Sequence, residues 1–349
     1  MNGRKRVLGV LLGVVGLGVI AGLAVFAWIF FGPNTFEGPS VREVYVSRGQ
    51  ALPSVVDSLE NRGIIRSRSG FVFVAKILGG ASGIKIGKYV VRSGISNYRL
   101  YQMLVSGRDA ELIRVRIPEG SFARVQARIF ARTLGSDSTK YMQLVSNPVL
   151  AGSLGAPTLE GYLLPDSYEF SWNQDERDII RAMVDSFKEF YTDSLRRRTE
   201  ELRWTTREML TMASIIEGEV KLPEERWMVS GVYHNRLRKR MYLQADPTIQ
   251  YILKDGPRRL LYEDLQIDDP YNTYRHTGLP PGPVNNPGRA AILAALYPQM
   301  HNYLYFVANG TGGHRFASTY ETHLRNVRMY RRARALTNSA SRSSEGSSR

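Results

Sequence analysis

Residues 211–220, TMASIIEGEV, place two carboxylates, Glu217 and Glu219, where an apolar helical pattern should continue. On a helix turning about 100° per residue, Met209, Met212, Ala213, Ile216 and Val220 make a buried stripe. Glu217 falls on one edge of that stripe beside Leu210 and Ala213, and Glu219 on the opposite edge. Gly218 faces outward between them, and Ser214 lies one turn before Glu217. A carboxyl at such an edge is partly desolvated, which raises its pKa and lets it serve as a general acid near neutral pH. Taken alone, the helix favours the plainer reading, in which both glutamates are solvated and mark the border of the stripe.

Other groups are candidates for the same site. Asp246 in YLQADPTIQY is a possible second carboxylate for acid/base work on a glycoside. Standing before Pro247, it equally has the form of a helix N-cap. Asn235, Arg236 and Gln244 either line a cleft or decorate a face. The segment YNTYRHTGLPPGPVNNPG, residues 271–288, is long for a connection and rich in Pro, Gly and Asn. Its Tyr271, Asn272, Thr273 and Tyr274 combine aromatic faces with hydrogen-bonding groups, which suits sugar binding, although a rigid structural loop accounts for the prolines too. Gly312 and Gly313 before His314 allow close backbone approach to a ligand or to the core. The five histidines show no metal-binding spacing and the chain has no cysteine, so neither a metal nor a cofactor is expected. No phosphate-binding glycine loop and no nucleophile elbow occurs.

These residues must be held by a mostly helical region. A capping box of Thr205 and Glu208 opens the helix that carries Glu217. One long amphipathic helix is expected over residues 175–201, and shorter ones over 247–253 and 287–296, the latter two started by Asp246-Pro247 and Asn286-Pro287. Residues 303–308 and 315–317 around Asn309-Gly310 read as a β-hairpin. Ser318 and Glu321 read as the cap of a last basic helix that fades near Leu336, followed by a disordered polar tail, 337–349. Before this region, a strand, a glycine and a helical segment follow one another three times, turning at Gly49, Gly94 and Gly120. Strand 41–46, helix 52–61, helix 69–78 and strand 86–91 give a βααβ order within small α+β modules spanning 41–148, after a short linker at 32–40.

At 349 residues, 43% hydrophobic and 23% charged, the chain has the composition of a globular protein of two or three domains. Residues 7–31 carry no charge and suffice to span a hydrocarbon core of roughly 30 Å. A cleaved signal peptide is the alternative, but its apolar region would run only about 7 to 15 residues. Arg4, Lys5 and Arg6 precede the span, so the positive-inside rule keeps the N-terminus cytoplasmic and sends residues 33–349 across a cell membrane. The formal charge of +15 calls for an anionic surface or polymer, and outside the cytoplasm nucleic acid is excluded as a partner. Without cysteine, stability rests on ordinary cores.

Four blocks occur in order: ASIIEGEV, VYHNRLRKRMYLQADPTIQY, YNTYRHTGLPPGPVNNPGRAAILAALYP and YLYFVANGTGGHRFASTYETHLRNV. Together with LEGYLLPDSYEF at 159–170, they resemble the endolytic murein transglycosylase family, the MltG or YceG-like proteins, over about residues 159–330. The resemblance implies an α+β chain made of a membrane anchor (1–32), a LysM-like module (41–107), a small connecting module (108–157), a mostly helical lysozyme-like catalytic domain (158–336) and the tail. It implies Glu217 as catalytic acid/base, with Glu219 only a neighbour in the motif. Ser214, Asn235, Gln244, Asp246, Tyr271, Asn272, Thr273 and Tyr274 are then candidates for substrate binding. The substrate implied is the peptidoglycan glycan strand, cut between N-acetylmuramic acid and N-acetylglucosamine with formation of a 1,6-anhydro end. The implied role is termination of glycan elongation, with peptidoglycan synthases as candidate partners. A hydrolytic muramidase and a non-catalytic wall-binding scaffold are the alternatives.

Overall fold

The computed structural model describes residues 2–80, 83–253 and 256–346, and the chain divides into two compact units, each of mixed helix and strand. The first comprises Met1–Val115, Arg132–Ser136 and Glu169–Gln174, and the second Arg116–Ala131, Asp137–Tyr168 and Asp175–Arg349.

In the first unit, α1 (Asn2–Phe31) contains the uncharged stretch Val7–Phe31 as one unbroken helix. The chain then forms β1 (Pro33–Asn34), β2 (Val41–Val46), α2 (Leu52–Asn61), α3 (Arg68–Ile77), β3 (Gly87–Arg92), β4 (Ile95–Ser96) and α4 (Asn97–Ser106). The βααβ order and its boundaries match the sequence reading to within a residue. β5 (Ala110–Arg116) and β6 (Ser167–Ser171) complete a four-stranded sheet in the order β2-β3-β5-β6. β2 and β3 pair antiparallel with Val44 opposite Tyr89, so Val44, Val46, Tyr89 and Val91 alternate onto one buried face. That face packs on Val55, Val56 and Leu59 of α2, Phe71 and Ala75 of α3, and Leu100 and Leu104 of α4. Ser67 and Ser96 cap α3 and α4 by accepting from the amides of Gly70 and Arg99. All three turning glycines adopt positive φ, +72° at Gly49, +91° at Gly94 and +71° at Gly120. The 32–40 segment differs from the free linker expected, because β1 pairs with β4 and buried Asn34 donates to Asn97 Oδ1 at 2.9 Å.

The second unit is built from α5 (Ala123–Leu134), α6 (Ser138–Val145), α7 (Pro148–Ser153), α8 (Glu176–Phe190), α9 (Asp193–Glu201), α10 (Thr206–Glu219), α11 (Arg226–Arg238), α12 (Asp246–Ile252), α13 (Arg289–Leu296), β7 (Tyr305–Ala308), β8 (His314–Ala317) and α14 (Tyr320–Gly346). Residues 108–157, expected as a module of their own, divide between the units: β5 joins the first unit's sheet, and α6 and α7 belong to the second. The single helix expected over 175–201 is two helices. It breaks at Tyr191, whose ring stacks on Phe187 and whose hydroxyl donates to Thr199 Oγ1 at 2.7 Å, a burial that a continuous helix would forbid.

Helix α10 is the centre of this unit. The Thr205–Glu208 capping box forms as expected, but every residue from Met209 to Ile216 is buried. The amphipathic stripe was therefore too narrow a reading, since a helix enclosed on all sides needs no polar face. Asn286 does not cap α13, which starts after Gly288. Its buried side chain instead accepts from the amides of Gly161 and Leu163 and donates to Ser121 O and Glu160. The hairpin is present, with β7 and β8 antiparallel. The last helix is capped by Thr319, which accepts from the amide of Thr322, and not by Ser318. It continues through Gly346, past the start of the expected disordered tail, in a stretch free of proline; residues 347–349 lie outside the described residues.

Candidate active site

Glu217 lies in the last turn of α10 with its side chain only 5% exposed. One carboxylate oxygen accepts from the Gly288 amide at 3.0 Å, at the end of the long irregular loop. The other accepts from Arg226 Nη2, also at 3.0 Å. Arg226 is the first residue of α11, delivered there by the short 3-10 turn Pro223–Glu225. The same guanidinium nitrogen reaches Glu119 at 3.1 Å, so one cation is shared by a buried and a half-exposed carboxylate. Burial raises the pKa of Glu217 and Glu119 adds to the rise, while the Gly288 amide and Arg226 pull the other way; the balance is upward. Glu217 therefore retains a proton above the ordinary glutamate range and has two donors ready to receive its anion.

Two glycines make this packing possible. Gly120 follows Glu119 at positive φ, and a Cβ there would stand 3.2 Å from Glu217 Cγ. A Cβ on Gly288 would run into the Glu119 carboxylate. Gly218, beside Glu217, packs its bare Cα against Pro247 of α12, where a Cβ would meet the ring at 2.7 Å. Gly218 is exposed, as the wheel implies, yet its one open side is edged by the Pro247 ring. A cleft of about 830 Å³ runs past Glu119, lined by Ile117, Pro118, Glu119, Pro165 and Asp166.

Glu219 departs from the solvated role expected for it. Burial and the nearby charge of Asp246 push its pKa up to about 8, against a contact with the Tyr233 hydroxyl at 3.5 Å and the Arg236 charge. Asp246 is the first helical residue of α12, not its N-cap; the cap position belongs to Ala245, and Asp246 accepts from the Tyr274 hydroxyl at 2.6 Å. Asp246 and Tyr274 thus meet beside Glu219. Gln244 is exposed, held at a positive φ of 49° by an amide hydrogen bond to Thr273 O. Tyr271 lines a different cavity, of about 550 Å³, with Arg124, Glu160 and Tyr251.

The other four candidates are struts. Ser214 donates to Thr211 O and accepts from the Val284 amide. Asn235 donates to His301 O and Tyr303 O, fixing the strand leading to β7. Asn272 donates to Leu265 O and Ile267 O, and Thr273 accepts from the Ala245 amide. All four are buried, their polar atoms taken up by backbone and, at Asn235 and Thr273, also by the side chains of Arg238 and Thr248, so none is turned to solvent. Arg236 is likewise buried, donating to Leu243 O and Leu304 O. Gly313 approaches Glu225, whose carboxylate holds the amide and ring of His314, so the glycine pair serves the core.

Sequence reasoning missed Arg226, Glu119 and the Gly288 amide as partners of Glu217. Glu119 was adjacent to a glycine already marked as a turn, and Gly288 closed the long loop. Both signals were present, but only the fold joins positions 119, 217, 226 and 288.

Comparison with known proteins places the chain in a family. The sequence matches the YceG-like family over residues 44–329. It is 32% identical to the endolytic murein transglycosylase of Bacillus subtilis, across 87% of this chain and 89% of the relative. It is 29% identical to the endolytic murein transglycosylase of Streptococcus pneumoniae strain R6, across 81% of this chain and 57% of that longer relative. The crystal structure of a YceG-like protein from Listeria monocytogenes superposes with a TM-score of 0.60 at 29% identity, covering 82% of this chain and 98% of the other. By a match that takes in both compact units and the Glu217 site, the chain belongs to the YceG-like family.

Proposed function

We propose that this protein is an endolytic murein transglycosylase, a peptidoglycan lyase, with Glu217 as its acid/base. The observation that carries the residue assignment is a carboxyl 5% exposed, with raised proton affinity, held between an amide and a guanidinium. Protonated Glu217 gives its proton to the glycosidic oxygen as the bond from muramic acid C1 breaks. Its anion, stabilised by Gly288 N–H and Arg226, then takes the proton of the C6 hydroxyl of the same sugar while O6 closes on C1. Both protons are accounted for, and the product carries a 1,6-anhydro end. The intramolecular nucleophile outcompetes water by its effective concentration, so a second catalytic carboxylate is unnecessary. The 830 Å³ cleft beside Glu119 is of a size to take sugar units of the strand; Gln244, Asp246 and Tyr274 keep some exposure but do not line this cleft, the last two meeting beside Glu219.

The apolar helix α1 is the membrane anchor in this reading, with Arg4, Lys5 and Arg6 on the cytoplasmic side and the rest of the chain outside. The βααβ module is LysM-like in element order, and the second unit is the lysozyme-like catalytic domain. Synthases that extrude nascent strands are the natural partners of an enzyme that ends their growth.

Mass spectrometry of glycan fragments released from uncrosslinked strands by the detergent-solubilised protein tests the reaction: anhydro-muramic ends are expected, and reducing ends would overturn it. Glu119 supports a second reading, because this half-exposed carboxylate is the group a hydrolytic muramidase would use to activate water. If Glu119→Gln leaves the anhydro product and most of the rate intact, the muramidase reading fails.

A further inference from the structure

We propose that the βααβ module is seated in the membrane surface: Phe73 and Ile77 of α3 enter the boundary between headgroups and hydrocarbon on the side where α1 leaves the bilayer. The proposal rests on the reading of α1 as a membrane span.

The depth follows from length. Val7–Phe31 is 25 residues, or about 37 Å of helix, whereas a hydrocarbon core is about 30 Å thick. Counting about 20 residues from the charged flank, the core ends near Phe26, and the last turn and a half of α1 emerges through the interface. Exposed Trp28 lies there, as interfacial aromatics do.

The module is fastened to that same stretch. The ring of Phe73 sits 6.4 Å from Phe26 and 6.3 Å from Phe30, edge to face with both. Phe31 lies 5.6 Å from Tyr98 of α4, and Asn97 donates to the Ile29 carbonyl at 2.8 Å. Arg66 stacks over Trp28 and donates to Pro33 O. With β1 paired to β4, no slack remains between the anchor and the module. Phe73 must therefore share the depth of Phe26 and Phe30.

The surface is suited to that depth. Phe73 is 45% exposed and Ile77, one turn on along the same face, 52% exposed, although the module has a filled core of its own. Between and before them stand exposed Lys76 and Arg66, cations at the level of lipid phosphates, and Arg68, which is paired with Asp57 and Glu60 of α2. A bilayer is the occupant to which this points, because the anchor brings it to the patch.

The chain contains no cysteine, so single cysteines report without background. Trp28→Cys, Phe73→Cys, Ile77→Cys and Arg108→Cys full-length variants would be labelled with an environment-sensitive fluorophore and reconstituted in 3:1 phosphatidylcholine:phosphatidylglycerol vesicles. Arg108 is exposed beyond the far end of α4, about 15 Å along that helix from Tyr98. Lipids bearing a shallow nitroxide should quench the probes at 28, 73 and 77 several-fold more than the probe at 108. Quenching at 28 without quenching at 73 and 77 overturns the seating and leaves the anchor intact. No quenching at 28 overturns the anchor itself. Probes at 73 and 77 shielded from aqueous iodide yet untouched by lipid nitroxide would mean a protein or glycan covers the face, which also overturns the proposal.

Discussion

Replacing Glu217 by Gln keeps the shape of the side chain and removes the proton that the proposed reaction moves. We expect glycan cleavage to fall by at least about 10²-fold, read as anhydro ends released per enzyme, with the thermal midpoint unchanged or higher because a buried acid is gone. The surroundings of Glu217 set its working range. The proposed reaction starts from its acid form, so activity is expected to decline as pH rises through its elevated pKa. Arg226 lowers that pKa; Arg226→Met removes the cation, and the alkaline limb of the pH–rate profile should move to higher pH while the rate at the optimum drops. A limb that stays in place would mean that another group controls it. Glu219 is a lesson of the same scale. Its spacing in the sequence marks a stripe edge, but its environment comes from Asp246 and Tyr233, 27 and 14 positions away, and spacing within one helix carries no information about either.

At the scale of elements, glycines decide how closely backbones approach. Gly120→Ala forces a side chain into the left-handed region, at a cost of about 1–2 kcal/mol, and presses it on Glu217 Cγ. We expect a loss of activity that exceeds the loss of stability, compared by turnover and by denaturant midpoint on the same sample. Gly218→Ala acts differently, since it wedges α10 from α12 without straining the backbone. It should cost about 1–3 kcal/mol, the usual range for overpacking, visible as a lower urea midpoint. The glycines at 49, 94 and 120 were legible as turns because local sterics alone demand them. The break at Tyr191 and the all-round burial of α10 were not, because both depend on what packs against the helix and not on the pattern along it.

For the whole molecule, pH and stability are linked through buried acids with raised pKa, Glu219 and Glu160 as well as Glu217. Burial holds Glu219 at about 8 and Glu160 at about 7, the latter despite accepting from the Ala123 amide and Asn286. Between the ordinary glutamate pKa and these values the folded state binds protons that the unfolded state has lost. Their contribution to stability is therefore present in acid and disappears as pH rises through 7 and 8. Unfolding free energy should fall between about pH 6.5 and pH 8.5, above the range in which His234 and His323, whose pKa burial lowers, act with the opposite sign, and Glu219→Gln should flatten the upper part of that decline. A profile unchanged by the substitution would remove Glu219 as its source.

The sequence by itself determined what short-range physics controls: the length and neutrality of α1, the βααβ order, the capping box of α10, the glycine turns, and, through four ordered blocks, the family. Tertiary structure alone decided which candidates stay exposed and which are buried. Ser214, Asn235, Asn272 and Thr273 carry polar groups that a sugar site would need, and the fold spends all four on buried hydrogen bonds within the protein. It also decided the partners of Glu217, because a carboxyl's proton affinity depends on charges and amides within a few ångströms, and positions 119, 226 and 288 come that close only when the chain is folded.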